Sequence, residues 1–228
     1  MTAGLFVALV VVMVLLVFRG MRLAGAGGMV LAGITAAYLV VPAGLASAGL
    51  LDRYTPLPAP ALVMVLILTV ITLTITLTGF GRRVVAAVGL PALVAYQAFR
   101  IPVEWLLHRL YQEGVVPIQM TYAGRNFDIF TGVTAAVLGV WLLRGGRSRG
   151  AVFAWNVAGL ALLANIVAIA ILSTPVPFRR FVDGPPNLLP SVVPYVWLPS
   201  FLVQLALAGH VLVFRNLSSA GDPVRKSA

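Results

Sequence analysis

The chain has 228 residues, of which 61% are hydrophobic and only 10% are charged. Soluble domains carry about 25% charged residues, whereas the apolar residues here fall in long blocks that are typical of helices in a lipid bilayer. Because the chain has no cysteine, disulfides, thiolate metal sites, iron–sulfur clusters and cysteine nucleophiles are excluded. The net charge of +10 would indicate a nucleic-acid partner in a soluble protein. In this chain, the distribution of the charges between the apolar blocks decides whether such a partner is needed.

Seven apolar blocks predict an all-α, polytopic transmembrane bundle of about seven helices, formed by a single domain over residues 1–216. A span needs about 17–25 apolar residues, and arginines after the shorter blocks can extend them into the interface. The first block is followed, not preceded, by arginines, which favours a retained helix over a signal peptide. Residues 217–228 are expected to form a disordered cytoplasmic tail. The blocks are Ala3 to Phe18, Leu23 to Leu51, Ala61 to Phe80, Val84 to Phe99, Phe127 to Leu143, Ala151 to Ser173 and Leu188 to Phe214.

The segments between the blocks alternate in charge, and this alternation predicts an orientation. One side of the membrane carries a net charge of +9 and the other a net charge of +1. Cytoplasmic loops are enriched in Lys and Arg, so the N-terminus is expected outside and the C-terminus in the cytoplasm. The charge asymmetry also accounts for the basic composition without any nucleic-acid partner. The cytoplasmic positive charges are Arg19, Arg22, Arg82, Arg83, Arg144, Arg147, Arg149, Arg215, Arg225 and Lys226.

The segment after the fourth block contains the strongest candidate for chemistry. Arg100, Glu104 and His108 are spaced four residues apart, so they share one face if the segment is helical. Pro102 would either kink the fourth helix or begin a separate interfacial helix. The shared face could hold a ligand or handle protons at the outer surface, or it could be the solvated side of an amphipathic helix. One Glu and one His supply too few ligands for a metal site.

Two further outer segments concentrate polar side chains. Arg125, Asn126 and Asp128 stand at the entrance of the fifth block, where Asn or Asp would cap the helix or contact a substrate. Arg179 and Arg180 lie in a proline-rich segment and could bind an anionic group or anchor the loop in the interface. We expect these side chains to converge on one polar mouth, because the outer acids nearly balance the outer arginines.

Isolated polar residues inside the apolar blocks are expected to lie beneath this polar mouth. Gln97, Asn165 and Gln204 would be costly against lipid, so they are expected to face one another, a cavity or a neighbouring helix. His210 falls near the inner end of the seventh block, away from His108, which argues against a shared haem or metal. With no lysine in an apolar block, a retinal-type Schiff base is excluded. We find no nucleotide-binding or hydrolase motif and predict no metal or cofactor.

The strings MTYAGRNFDI, NIVAIAILSTPVPF and VPYVWLPSFLVQLALAGH resemble segments of a family of bacterial multi-pass inner-membrane proteins with no known activity. The likeness covers roughly the C-terminal half of the chain. It implies a bacterial inner-membrane protein, and it supplies no substrate or catalytic residue to carry over.

Three functions remain open from the sequence. The favoured one is binding or transport of a small molecule or lipid through a pocket that faces outward, because polar residues recur in the fourth to seventh helices. The second is a membrane-embedded enzyme that uses Glu104, His108 or Asp128 as acid and base near the outer leaflet. The third is an accessory or sensory subunit of a membrane complex. Membrane lipids are expected partners in each case, and nucleic acid in none.

Overall fold

The computed structural model describes residues 1–55 and 57–219, and within them the chain is an all-α bundle with no strand. Five helices, α1, α2, α3, α7 and α8, are long and apolar enough to cross a membrane. The prediction of a polytopic transmembrane helix bundle is therefore confirmed. The helices are α1 Thr2–Leu23, α2 Gly28–Ser47, α3 Pro60–Leu77, α4 Gly79–Val88, α5 Leu90–Gln112, α6 Ile129–Leu143, α7 Arg149–Ser173 and α8 Leu198–Ser218.

The fourth apolar block is organised differently from the prediction. Helices α4 and α5 meet at an angle of 98°, and α5 continues past residue 99 to Gln112. The whole of α5 is about 34 Å long at 1.5 Å per residue. Both ends of α1 meet this pair, since Gly20 packs against Val88 and Thr2 Oγ1 donates to Glu113 Oε1 at 2.5 Å. The predicted span over residues 84–99 is thus wrong in its bounds. Arg100 lies near the middle of a long helix and not at its outer end.

Prolines explain the local irregularities of the long helices. Residues Tyr96–Phe99 form a tight 3-10 turn within α5, where Pro102 cannot donate to the carbonyl four residues earlier and its ring crowds that carbonyl. In α2, Pro42 likewise leaves the carbonyl of Tyr38 without its usual donor, and Ser200 Oγ donates to it at 2.9 Å. A backbone group freed inside a membrane needs such a partner, so α8 is fastened to α2 at this point.

Helix α6 packs closely on α5 through glycine. A Cβ atom on Gly139 would lie 2.6 Å from Ala95 Cα, and one on Gly132 would lie 2.9 Å from Ile101 Cγ1. Small residues of this kind allow two helix backbones to approach. Helix α6 has only 15 residues, fewer than the roughly 17–25 of a full span, and Asn126 in the loop before it is completely buried.

The arginine-rich segments meet at one end of the bundle, which we call the basic end. Arg83 Nε donates to the carbonyl of Ala24 at 3.2 Å, and Arg149 Nη2 donates to the carbonyl of Leu217. Arg215 donates to two carbonyls at the C-terminal end of α3. The C-terminal ends of α1, α3 and α8 and the N-terminal end of α7 are thereby joined.

The predicted C-terminal tail is only partly described. The helix that contains α8 continues through Ser219, so the first residues of the predicted tail are helical. The remainder, residues 220–228, lies outside the described residues.

Candidate functional site

Arg100 lies at the centre of a polar cluster inside the bundle. Its side chain is only 2% exposed, and its Nε atom donates to Asp128 Oδ2 at 2.6 Å in a buried ion pair. Its Nη1 atom lies 2.9 Å from His210 Nε2 on α8. Burying a charge in a membrane interior is costly unless the charge is paired, and these two contacts provide the pairing. We call the set the Arg100 cluster; it comprises Arg100, Glu104, Asn126, Asp128, Asn156 and His210.

The hydrogen bonds of His210 define its protonation state. A guanidinium can only donate, so His210 Nε2 must accept the bond from Arg100 and therefore carries no proton. His210 Nδ1 then donates to Asn156 Oδ1 at 2.8 Å, and Asn156 Nδ2 returns a bond to the backbone carbonyl of His210 at 3.0 Å. The ring is neutral, both of its nitrogens are engaged, and its role in this arrangement is to hold Arg100.

Asn126 organises the carboxyl groups of the cluster. Its Nδ2 atom donates to Glu104 Oε2 at 2.6 Å and to the carbonyl of Met120 at 3.0 Å, and its Oδ1 atom accepts from the backbone N–H of Asp128. Asp128 occupies the N-cap position of α6 but makes no side-chain capping bond. Of the two residues predicted to cap this helix, Asp128 does not do so, because its carboxylate neutralises Arg100, whereas Asn126 accepts a hydrogen bond from the N–H of the N-cap residue.

A cavity of about 100 Å³ adjoins the cluster. Arg100, Glu104 and Asp128 line one part of its wall, and most of the remaining wall is apolar. Near Asn187 and Leu189 the cavity reaches the loop between α7 and α8, at the end opposite the basic end. The other side chains around it come from α3, α5, α7 and α8, and include Val65, Val103, Leu163, Ala170 and Leu202.

Two polar atoms of the ion pair remain without hydrogen-bond partners among the described residues. They are Arg100 Nη2 and Asp128 Oδ1, both fully buried, and the hydroxyl of Thr131 is a neighbour of the Asp128 carboxylate. An unpaired buried polar atom costs about 1–3 kcal/mol, and native proteins rarely tolerate it without a water or a ligand nearby. The pair thus has one donor to offer to a third group, together with one acceptor next to the Thr131 hydroxyl.

The three residues predicted to share one face of α5 do not all belong to the cluster. Arg100 and Glu104 are each only 2% exposed, so the expectation that they face the protein and not lipid is confirmed. His108 is half-buried and stacks on Tyr122, with ring centroids 4.6 Å apart. Among the described residues it makes no hydrogen bond or ring contact with the cluster, and its Nδ1 atom lacks a partner there.

The expected polar mouth is not formed by the outer arginines. Arg125 is exposed and lies over the ring of Phe181, 5.4 Å from its centroid. Arg179 donates to the carbonyls of Phe181 and Gly184 within its own loop, and Arg180 is exposed. None of the three lines the cavity beside Asp128. The prediction that they share one cavity with Asp128 is wrong, because backbone carbonyls and an aromatic ring already engage two of them at the surface.

The three amide side chains predicted inside the membrane do not lie together in the structure. Gln97 is completely buried and donates to the carbonyl of Ala206 at 3.0 Å, while Gln204 accepts a bond from Thr72 at 3.2 Å. Both therefore join neighbouring helices, the structural alternative considered for them. Asn165 is exposed and donates to the carbonyl of Arg125, so its predicted position facing a cavity or another amide is wrong.

Sequence reasoning missed His210 and Asn156 as members of the site. The isolated Asn in the apolar α7 was a usable signal, because an amide in such a helix needs a partner. His210 was compared only with His108, and its contact with Arg100 follows from the position of Arg100 near the middle of α5. Within residues 1–55 and 57–219, no group of three or more His, Cys, Asp or Glu side chains is placed to hold a metal ion.

Comparisons with known proteins add no family to this geometry. No family model, curated protein or solved structure matches the chain.

Proposed function

We propose that this protein binds or transports a small molecule or one end of a lipid in the cavity beside the Arg100 cluster. The observation that carries the proposal is the ion pair of Arg100 and Asp128, which is buried halfway along α5 and lines a cavity. Ionisable groups at such a depth are costly and characteristically mark ligand or ion pathways.

The dimensions and polarity of the cavity narrow the ligand class. A volume of about 100 Å³ is smaller than the roughly 150 Å³ that accommodates benzene in an engineered cavity, so only a few non-hydrogen atoms fit. Arg100 Nη2 offers a donor and Asp128 Oδ1 an acceptor. A neutral group that both accepts and donates, such as a hydroxyl or an amide, satisfies both atoms without adding a charge.

Binding is better supported than acid–base catalysis. Both nitrogens of His210 are engaged by Arg100 and Asn156, so the ring has no free position from which to take a proton. Asp128 and Glu104 each accept a short bond from a neighbour, Arg100 and Asn126. A general base must reach the proton that it removes, and the bonded oxygens Asp128 Oδ2 and Glu104 Oε2 are already directed at Arg100 and Asn126.

Filling the cavity is expected to remove a co-purified ligand. Ala170 lines the cavity, whereas Ala168 on the same helix is exposed on the outside of the bundle. We expect Ala170→Phe to lose most of a small molecule that wild-type protein releases on denaturation, and Ala168→Phe to retain it. Mass spectrometry of the released molecules, normalised to folded protein, measures the difference. Equal release from both variants would show that the ligand binds elsewhere.

We also propose that the protein lies in a bacterial inner membrane with its basic end in the cytoplasm. The clustering of arginines at one end of the bundle supports this orientation through the positive-inside rule. The N-terminus would then be outside and the C-terminus inside. We expect a reporter fused after residue 228 to be active only in its cytoplasmic form, and one inserted after Asp183 only in its periplasmic form. The reverse pattern would overturn the orientation.

A further inference from the structure

A second and larger cavity lies nearer the basic end of the bundle. Its volume is about 370 Å³, more than twice the roughly 150 Å³ that accommodates benzene, and its wall is almost entirely apolar. Helices α1, α2, α3, α4, α5 and α8 all contribute to it, and it shares no lining residue with the cavity beside Arg100. The two cavities can therefore be tested separately.

The polar groups in the wall of this cavity are already satisfied. Tyr38 Oη and Thr72 Oγ1 lie 2.8 Å apart, and Thr72 also donates to Gln204 Oε1. Tyr96 Oη donates to the carbonyl of Leu205 at 2.6 Å. A hydrocarbon chain could therefore occupy the cavity without leaving these hydroxyl groups unpaired, which removes the usual penalty for covering polar atoms with an apolar ligand.

The mouth of the cavity is positively charged. Arg19 lines it and is exposed, and no Asp or Glu is among its lining residues. Arg83, on the adjoining helix α4, lies over the ring of Phe80, which is itself part of the wall. Arginine binds phosphate oxygens through paired N–H donors, so this mouth suits an anionic phosphate at the level of the membrane interface.

We propose that the cavity binds one acyl chain of an acidic phospholipid, with the net negative charge of its headgroup held at Arg19. The occupant is a lipid because the cavity lies in the part of the bundle that the apolar helices place within a bilayer, where acyl chains are the surrounding solvent. A hydrocarbon chain gains little hydrophobic free energy on moving from lipid into protein. Headgroup charge is therefore the basis of selection, and it contributes about a fivefold preference per arginine at a membrane surface.

The experiment compares two phospholipids with identical chains on the full-length protein. Phosphatidylglycerol and phosphatidylcholine are added to delipidated protein in detergent, and bound lipid is counted by native mass spectrometry. Wild-type protein is expected to prefer phosphatidylglycerol, and Arg19→Gln to reduce that preference about fivefold. Arg22→Gln is the matched control, since Arg22 is exposed on the same helix and does not line the cavity. Equal binding of the two lipids by wild-type protein, or equal effects of the two substitutions, would overturn the proposal.

A second pair of variants tests where the acyl chain lies. Val84→Trp fills the cavity from α4, and Ala86→Trp adds the same side chain at an exposed position of that helix. We expect Val84→Trp to lower the binding of both phospholipids and Ala86→Trp to leave it unchanged. Undiminished binding by correctly folded Val84→Trp would mean that the chain does not enter this cavity.

Discussion

Replacing Asp128 with alanine is expected to destabilise the folded protein by about 3–5 kcal/mol, because the change leaves the buried guanidinium of Arg100 without its counter-charge. Asp128 is 5% exposed and lies 2.6 Å from Arg100 Nε. His210 still accepts a bond from the guanidinium, but a neutral ring does not compensate its charge. The free energy of unfolding in mixed micelles, followed by circular dichroism, measures the loss.

A double substitution separates the charge effect from the loss of packing. Arg100→Met combined with Asp128→Leu removes both charges, so we expect it to recover most of the stability lost in Asp128→Ala. Asp183→Ala is the surface control, because Asp183 is exposed, and it should change stability by less than about 0.5 kcal/mol. If Asp128→Ala is no less stable than this control, the ion pair makes no net contribution to the fold.

The same double variant connects stability to the proposed binding. It keeps an apolar wall but lacks the donor and acceptor atoms that Arg100 and Asp128 present. A folded double variant that no longer releases the wild-type ligand would assign the polar recognition to this pair. A folded double variant that still carries the ligand would leave Glu104 and the apolar wall as its binding determinants.

The helical class could be predicted because long apolar blocks have few alternatives in a membrane. The bounds of α5 could not, because Arg100 and Glu104 end the apolar block in the sequence while the helix continues beyond them. Their cost is offset by Asp128 and Asn126, which come from a loop more than 20 residues further along the chain. A hydropathy profile scores each segment from its own residues. It therefore cannot include the stabilisation that a buried charge receives from a side chain of another segment.

Only part of the candidate site could therefore be predicted from the sequence. Spacing on one helix was sufficient to place Arg100 and Glu104 on a common face. The pairing of Arg100 with His210 depends on where α5 and α8 cross, which no local pattern encodes. The prediction that the outer arginines line one polar mouth was wrong for a related reason. Arg179 donates to carbonyls of its own loop, and a count of charges cannot distinguish such a bond from a contact with a ligand.

The crossing of α5 and α8 depends on a glycine. Gly209 on α8 lies directly against the side chains of Tyr96 and Gln97, and a Cβ atom built on it would collide with Tyr96 Oη and Gln97 Nε2. These two side chains donate to carbonyls of α8, Tyr96 to Leu205 at 2.6 Å and Gln97 to Ala206 at 3.0 Å. A larger residue at 209 would therefore press on both bonds and move Arg100, which follows one turn later, away from His210.

We accordingly expect Gly209→Ala to destabilise the protein by about 2–4 kcal/mol, from overpacking together with the weakening of buried hydrogen bonds. Unfolding in mixed micelles measures this change. Gly33→Ala is the matched control, because a Cβ atom at Gly33 in α2 meets nothing within 4 Å and alanine favours the helix by up to about 1 kcal/mol. Adding Tyr96→Phe to Gly209→Ala removes one colliding oxygen and should restore part of the stability. Equal stability of the two glycine variants would show that the helices do not need this close crossing.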